Sequence, residues 1–270
     1  MKIIFFTYFN LIIIISLLSQ DITQNTLKKH EDTLKILSKN IISSESELER
    51  IQSNIIFTNK IIRILEYKSA YNYDFGDLET ISILQPKDKS FKLFNWILPK
   101  EDGTFSYNAL IIIPGKKNNT IIELNDQEYN IKNGNKLFYN KDDWYGALYY
   151  QIIQIKNKKE KYYTLIGWDG NNQISTIKLI DVLSLNNDSI TLGKKIFIKE
   201  NKKEHRAFIE YSSNSSVSVK YLKKEKTILL DNLTPINPKF KGIYEKYIPE
   251  GTYNAYKLIK GKWKYIENFE

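Results

Sequence analysis

Hydrophobic positions from Thr26 to about Tyr67 recur with a helical period. Leu27, Leu34, Ile41, Leu48, Ile55 and Ile62 stand seven residues apart, and Leu37, Ile51 and Leu65 follow members of that set by three. The intermediate set is interrupted by His30, Ser44 and Thr58. The pattern therefore predicts two amphipathic helices, about 22–41 and 45–69, paired as a hairpin that packs on the C-terminal remainder of the chain. A self-associating coiled coil is the alternative. Ser44 with Glu47 has the spacing of a capping box, in which the serine oxygen takes an orphan backbone amide and the glutamate reaches back.

After Tyr73-Asp74-Phe75-Gly76 the period changes to two. Phe91, Leu93 and Asn95 alternate with Lys92, Phe94 and Trp96, and Asp102-Gly103 then turns the chain into Thr104–Pro114. An Asp-Gly pair between alternating runs is a hairpin signal. The same grammar repeats at Ala147–Ile155, Tyr162–Trp168, Ile174–Leu185, Lys195–Lys199 and Arg206–Tyr211. It continues through Val217–Leu222, Thr227–Leu230 and Tyr253–Ile259, and closes with Lys262–Ile266 across Lys260-Gly261. No βαβ alternation is visible, which excludes a Rossmann-like sheet. The expected fold is α+β and mostly β: an N-terminal helical segment, then an antiparallel β meander folded as a sandwich, open barrel or partial propeller. The segment Pro114–Lys141, rich in Asn, Lys and Asp, reads as a mobile insertion or as the place where two sheets part.

The first residues obey a different logic. Lys2 is the one charge before Asp21, and Ile3 to Leu18 is apolar apart from Thr7, Asn10 and Ser16. A cationic start, an apolar middle and a small residue near its end make a secretory signal, with cleavage near Ser19 or Gln20. The stretch is short for a bilayer span, which needs about 20 apolar residues. The expected division is a signal at 1–20, a helical segment at 21–72 and an antiparallel β domain at 73–270. No integral span remains after signal removal. The address is export, to the periplasm, the cell envelope or the outside. A chain without cysteine has neither a lipid-anchor site nor disulfides, and a domain this large buries enough apolar surface to stand without them.

The formal charge of +9 changes the picture little, because Lys dominates the basic residues and Arg occurs at Arg50, Arg63 and Arg206 alone. Lysine is a poor match to base edges, so no specific nucleic-acid partner is expected. Attraction to anionic surfaces or polysaccharide is the electrostatic role such a chain supports.

Several blocks carry a resemblance. They are Trp144-Tyr145-Gly146-Ala147-Leu148-Tyr149-Tyr150, Tyr162–Asn171, Ser82-Ile83-Leu84, Phe94-Asn95-Trp96, Asp102-Gly103-Thr104, Phe208-Ile209-Glu210-Tyr211 and Gly261-Lys262-Trp263. In kind and order the chain resembles an uncharacterised family of signal-bearing proteins common in Bacteroidetes. The resemblance implies export, an N-terminal helical segment and a β-rich body, and it transfers no catalytic residue. Asp32-Thr33-Leu34 and Asp188-Ser189-Ile190 resemble the short O-glycosylation acceptor pattern of exported proteins in the same group.

Candidate chemistry is sparse. Gly167-Trp168-Asp169-Gly170-Asn171-Asn172 reads first as a tight turn whose Asp and Asn fold back onto backbone amides. As a ligand site, Trp168 with Tyr162 or Tyr163 offers a sugar-stacking platform oriented by Asp169 and Asn171, with Trp144 and Tyr145 as further aromatic candidates. Asp142 and Asp143, partnered by Asp169 or Glu210, are the carboxylates from which a glycoside hydrolase pair would be drawn. With two histidines and no cysteine, neither a nucleophilic triad nor a zinc site is expected. Phosphate loops and cofactor motifs are missing as well, so no cofactor, metal or catalytic residue is assigned. The leading expectation is a noncatalytic periplasmic or cell-envelope binding or structural protein, partnered by envelope polysaccharide or another envelope protein. The alternatives are an exported glycan-active hydrolase and a helix-mediated assembly protein.

Overall fold

Thr23 opens the first helix, α1 (Gln24–Ser43), by accepting the Thr26 amide on its side-chain oxygen. The computed structural model describes residues 21–127, 138–158, 160–186 and 189–270. The signal read at residues 1–20 and Asp188 of the second acceptor pattern lie outside the described residues. The second helix, α2 (Glu47–Leu65), is capped by Ser46, which accepts the Glu49 amide at 3.2 Å, while Ser44 closes α1. The expected box at Ser44 and Glu47 is thus displaced by two residues. The chain offers the same Ser-x-x-Glu spacing in both registers, and Arg50 chooses between them. Its guanidinium donates to the carbonyls of Ser44, Glu45 and Pro99, clamping the helical turn to the sheet below. Glu47, released from capping, accepts the Glu101 amide at 2.7 Å instead.

The turn also breaks the seven-residue repeat. Leu27, Leu34 and Ile41 of α1 are fully buried, whereas Leu48 and Ile55 of α2 stay 64% and 54% exposed. The second helix turns Phe57, Ile61, Ile64 and Leu65 inward. The repeat is one buried face in α1, but in α2 Leu48 and Ile55 face solvent while Ile51, Ile62 and Leu65 pack on the core, so the continuous seam does not exist.

Strands make up 46% of the chain and helices 21%, which gives the mostly-β, α+β class. The first sheet runs in sequence order: β1 (Ser82–Leu84), β2 (Lys92–Pro99), β3 (Phe105–Ile113) and β4 (Thr120–Leu124), all antiparallel. The middle sheet is built from β5 (Leu148–Asn157), β6 (Glu160–Asp169) and β7 (Ser175–Asn186). β8 (Ser189–Leu192) pairs with the far end of β7, and β11 (Ala207–Ser212) with its near end. The third sheet orders β10 (Lys202–Glu204), β9 (Phe197–Lys199), β15 (Lys262–Ile266), β14 (Tyr247–Ile259), β13 (Thr227–Pro235) and β12 (Val219–Leu222). Its β9–β15 pair is parallel, an exception to the antiparallel rule of the rest. No sheet closes into a barrel.

These elements stack as four layers with three cores between them. The helices pack Leu34, Phe57 and Leu65 on Phe94, Trp96 and Ile112 of the first sheet. The opposite face of that sheet meets the middle one through Leu93, Tyr107 and Ile111 against Tyr149, Tyr163 and Leu165. The middle sheet then meets the third through Tyr162, Ile166 and Ile180 against Tyr256 and Trp263. Adjacent residues of β6, Tyr162 and Tyr163, therefore enter different cores, as period-two geometry requires. Trp263 donates its indole N–H to buried Thr164 at 2.9 Å, satisfying two polar groups where sheets meet.

The expected insertion at Pro114–Lys141 contains a strand, because Ile122 and Leu124 reach the core beneath β3. Among the described residues, no helix is long and apolar enough to cross a membrane. Arg50→Ala should lower the unfolding free energy by about 2–3 kcal/mol, the scale of charge-assisted bonds lost from a nearly buried group. Exposed Arg63→Ala should change it by less than about 0.5 kcal/mol, and urea unfolding of both variants checks the contrast.

Candidate functional site

The turn after β6 is built as the sequence suggests, and for a different reason. Asp169 is fully buried. Its Oδ1 accepts from the Tyr107 hydroxyl at 2.8 Å and the Asn171 amide at 2.7 Å, and its Oδ2 from the Tyr145 hydroxyl at 2.7 Å. Tyr107 Oη in turn accepts the Gly170 amide at 2.7 Å. Burial holds the Asp169 carboxyl above the ordinary aspartate range, although three donors converge on it. The left-handed residue of the turn is Asn171, at φ 49°. The flanking glycines serve close approach. A Cβ on Gly170 would fall 2.3 Å from the Phe105 ring, and one on Gly167 would fall 2.8 Å from the Tyr149 ring.

Of the residues singled out in the sequence, Tyr145, Asp169 and Asn171 come together here, and Glu210 joins them. Ser175 Oγ donates to Glu210 Oε1 at 2.7 Å, and Asn171 Nδ2 donates to Ser175 Oγ at 2.6 Å. Trp168 points to the other face of β6 and meets Phe105 edge-on at 5.2 Å. Neither tyrosine joins it as a platform: Tyr162 donates to the Gly261 carbonyl and Tyr163 to Asp88, and both are buried. Trp144 is fully enclosed in the core between the first and middle sheets. Its indole donates to Tyr149 Oη at 3.2 Å, Tyr149 donates to Asp181 at 3.2 Å, and Asp181 pairs with buried Arg206 at 3.2 Å. No sugar can stack on a ring in that position. Asp142 and Asp143 shape a loop, accepting from Asn125 Nδ2 and the Asn140 amide respectively. Of the four acids offered for hydrolysis, Glu210 alone lines a cleft, while Asp169, linked to it through Asn171 and Ser175, is fully buried. Thr33 of the first acceptor pattern is exposed on α1.

An open concavity lies elsewhere. Register slips between Asp231 and Leu233, which pair with Tyr253 and Pro249, so both strands bulge. Asn232 staples the bulge: its Nδ2 donates to Glu250 and Thr252, and its Oδ1 accepts from Asn254 Nδ2 at 2.7 Å. Beyond the bulge, β13 and β14 continue as an arm, and the 3-10 turn Tyr244–Lys246 reaches back across edge strand β11. Between arm and edge is a cleft of about 550 Å³, within the usual size of ligand sites. Tyr244, Tyr247, Tyr256 and Tyr265 line it, with Asn232 and Asn254 at the bulge and Glu210 and Asp231 as acids. Tyr244 is 55% exposed and stacks obliquely on Tyr247 at 5.1 Å. Lys199 sits over the Tyr265 ring at 4.6 Å, and burial pushes the Tyr265 hydroxyl up to about 12. The clustering of tyrosines after Ile243 is the sequence signal for this site. Among the described residues, no group of three or more His, Cys, Asp or Glu is placed to hold a metal.

Compared with protein-family models, curated proteins and solved structures, the chain has no match.

Asp169 makes a pH prediction with a definite sign. A carboxyl whose folded pKa is raised binds its proton more tightly in the folded state, so its contribution to stability falls as pH rises from the ordinary aspartate range through the folded value. The stability of the native chain relative to Asp169→Asn should therefore decline as pH rises above the ordinary aspartate range, measured by urea unfolding of both. Tyr107→Phe, which leaves Asp169 Oδ1 and the Gly170 amide each short of a partner, should cost about 1–3 kcal/mol.

Proposed function

We propose that this chain is an exported, noncatalytic binding protein of the cell envelope, and that an uncharged oligosaccharide is its ligand in the cleft beside β11. The observation that carries the reading is the lining itself: four tyrosine rings, two side-chain amides and two carboxylates around one open volume. Sugars present apolar C–H faces that pack on aromatic rings, and hydroxyls that need both donors and acceptors. Asn254 supplies both, with one N–H and one oxygen lone pair beyond its bonds to Asn232 and the Asn268 amide, and the carboxylates supply acceptors. The acids favour holding over cutting. Glu210 already accepts from Ser175 Oγ at 2.7 Å, and Asp231 from the Ser218 amide at 2.8 Å. Both are committed to structural hydrogen bonds, whereas a glycosidase pair must keep one carboxyl for the leaving group and one for water or the anomeric carbon.

Export is supported by Lys2, the apolar run from Ile3 to Leu18 and the resemblance to a signal-bearing family of Bacteroidetes. Protein recovered from the producing cell's envelope should begin near residue 20, read by intact mass.

Calorimetric titration with a panel of neutral oligosaccharides tests the ligand. Tyr244→Ala and Tyr247→Ala should each weaken binding at least about tenfold, or 1.4 kcal/mol, with the unfolding transition unchanged. Turnover of a bound glycan, abolished by Glu210→Gln, would transfer the cleft to the hydrolase reading. Absence of binding to the whole panel would end the carbohydrate assignment.

A further inference from the structure

The outer face of the third sheet is marked by lysines in places that folding does not call for. Phe197, Trp263, Tyr256 and Ile228 fix its inward side, since all four belong to the core beneath. Their neighbours on the other side form one transverse row across all six strands: Lys203, Ile198, Lys264, Lys257, Thr227 and Leu222. Lys262 adjoins the row on β15 and Lys220 on β12. All five lysines are exposed, and among the described residues none forms an ion pair. Asp231 lies at the bulge, lines the tyrosine cleft and accepts the Ser218 amide.

Lys257 and Lys264 stand directly opposite each other in the antiparallel β14–β15 pair. Like charges in that position repel and destabilise a sheet. Lysine on an edge strand protects against unwanted pairing, which accounts for Lys203 on β10. β14 and β15 are interior strands and need no such protection. An unrelieved repulsion between two exposed lysines is relieved when an anion lies over them.

We propose that this face binds a linear acidic polysaccharide, laid along the row, at a site separate from the tyrosine cleft and independent of its ligand. The lysines of the row, from Lys203 through Lys264 to Lys257, span three inter-strand gaps, about 14 Å at about 4.8 Å each, the length of a short run of sugars. Lysine is a compact, mobile charge without a fixed donor geometry, suited to carboxylates spaced along a flexible chain. The row holds no aromatic ring on which single-stranded bases could stack and no arginine to read base edges. A broad face of this kind touches a cylindrical duplex along a narrow strip only.

The probe is polygalacturonate, with affinity measured from about 50 to 200 mM salt. Binding should weaken steeply with salt. Lys203→Gln, Lys257→Gln and Lys264→Gln together should lower affinity at least about tenfold and reduce the log–log salt slope by about 2–3. The variant's unfolding midpoint should hold or rise, because a repulsive pair is gone. Tyr244→Ala should leave this binding intact, which separates failure here from failure of the cleft reading. Absence of binding, or binding that the triple variant retains, overturns the proposal. Tighter binding at equal charge to duplex DNA or to phosphatidylserine vesicles overturns it too, and assigns the face to that partner.

Discussion

The middle sheet is covered on both faces, and the rest of the molecule is arranged around that constraint. A strand buried on both sides cannot send its polar residues to water, so each must find a partner inside. β6 and β7 carry four such residues, Thr164, Asp169, Ser175 and Asp181, all fully buried, and Ser175 donates to Glu210 of β11. The other three are also answered from another element: Thr164 by the Trp263 indole, Asp169 by two tyrosine hydroxyls, Asp181 by Arg206 and Tyr149. The partners come from both neighbouring layers and from β11. The polar groups of the middle sheet thereby fix how the outer layers sit on it. Removing one partner of the Asp181–Arg206 pair would strand a charge in the core, a loss of about 3–5 kcal/mol.

A stack so occupied with satisfying itself leaves chemistry for its margins. Tyrosine and tryptophan serve the interior as apolar bodies with a single polar tip, which is why the aromatic blocks of β5 and β6 are structural. The concave surface arises where the stack ends, at the edge strand β11 and the arm created by the β13–β14 bulge. The outward face of the third sheet is the other margin, and its charge is a property of register. Residues from six strands become neighbours only because the pairing aligns them.

Much of the architecture is legible in the linear pattern. Periodicity locates both helices and the long strands, because an amphipathic helix or a half-buried strand writes its own burial into its spacing. Short strands escape: β4 lies in a segment rich in Asn and Lys, and its two inward residues are too few to make a period. The heptad from Leu27 to Ile62 misleads in its second half, since a chain reversal resets the phase of a helix while the sequence continues counting. The loop after β6 is a turn, as its composition implies, but its glycines answer to rings from β3 and β5 that no local pattern reveals. The tyrosine cleft is hidden for a related reason. Its lining is gathered from β9, β11, β13, β14, β15 and the turn at Tyr244, and the tyrosine cluster after Ile243 does not itself say which strands those rings will face.

By itself the sequence determined what depends on neighbours along the chain: where helices and strands form, where they turn, and that no thiol or histidine-rich chemistry is available. Only the tertiary structure decided which of two serines caps α2, which tryptophans are sealed in the core, and which acids share a cleft. Those outcomes depend on pairs of residues tens of positions apart. Burial, like-charge opposition and hydrogen-bond satisfaction are properties of such pairs, and a linear pattern carries no record of them.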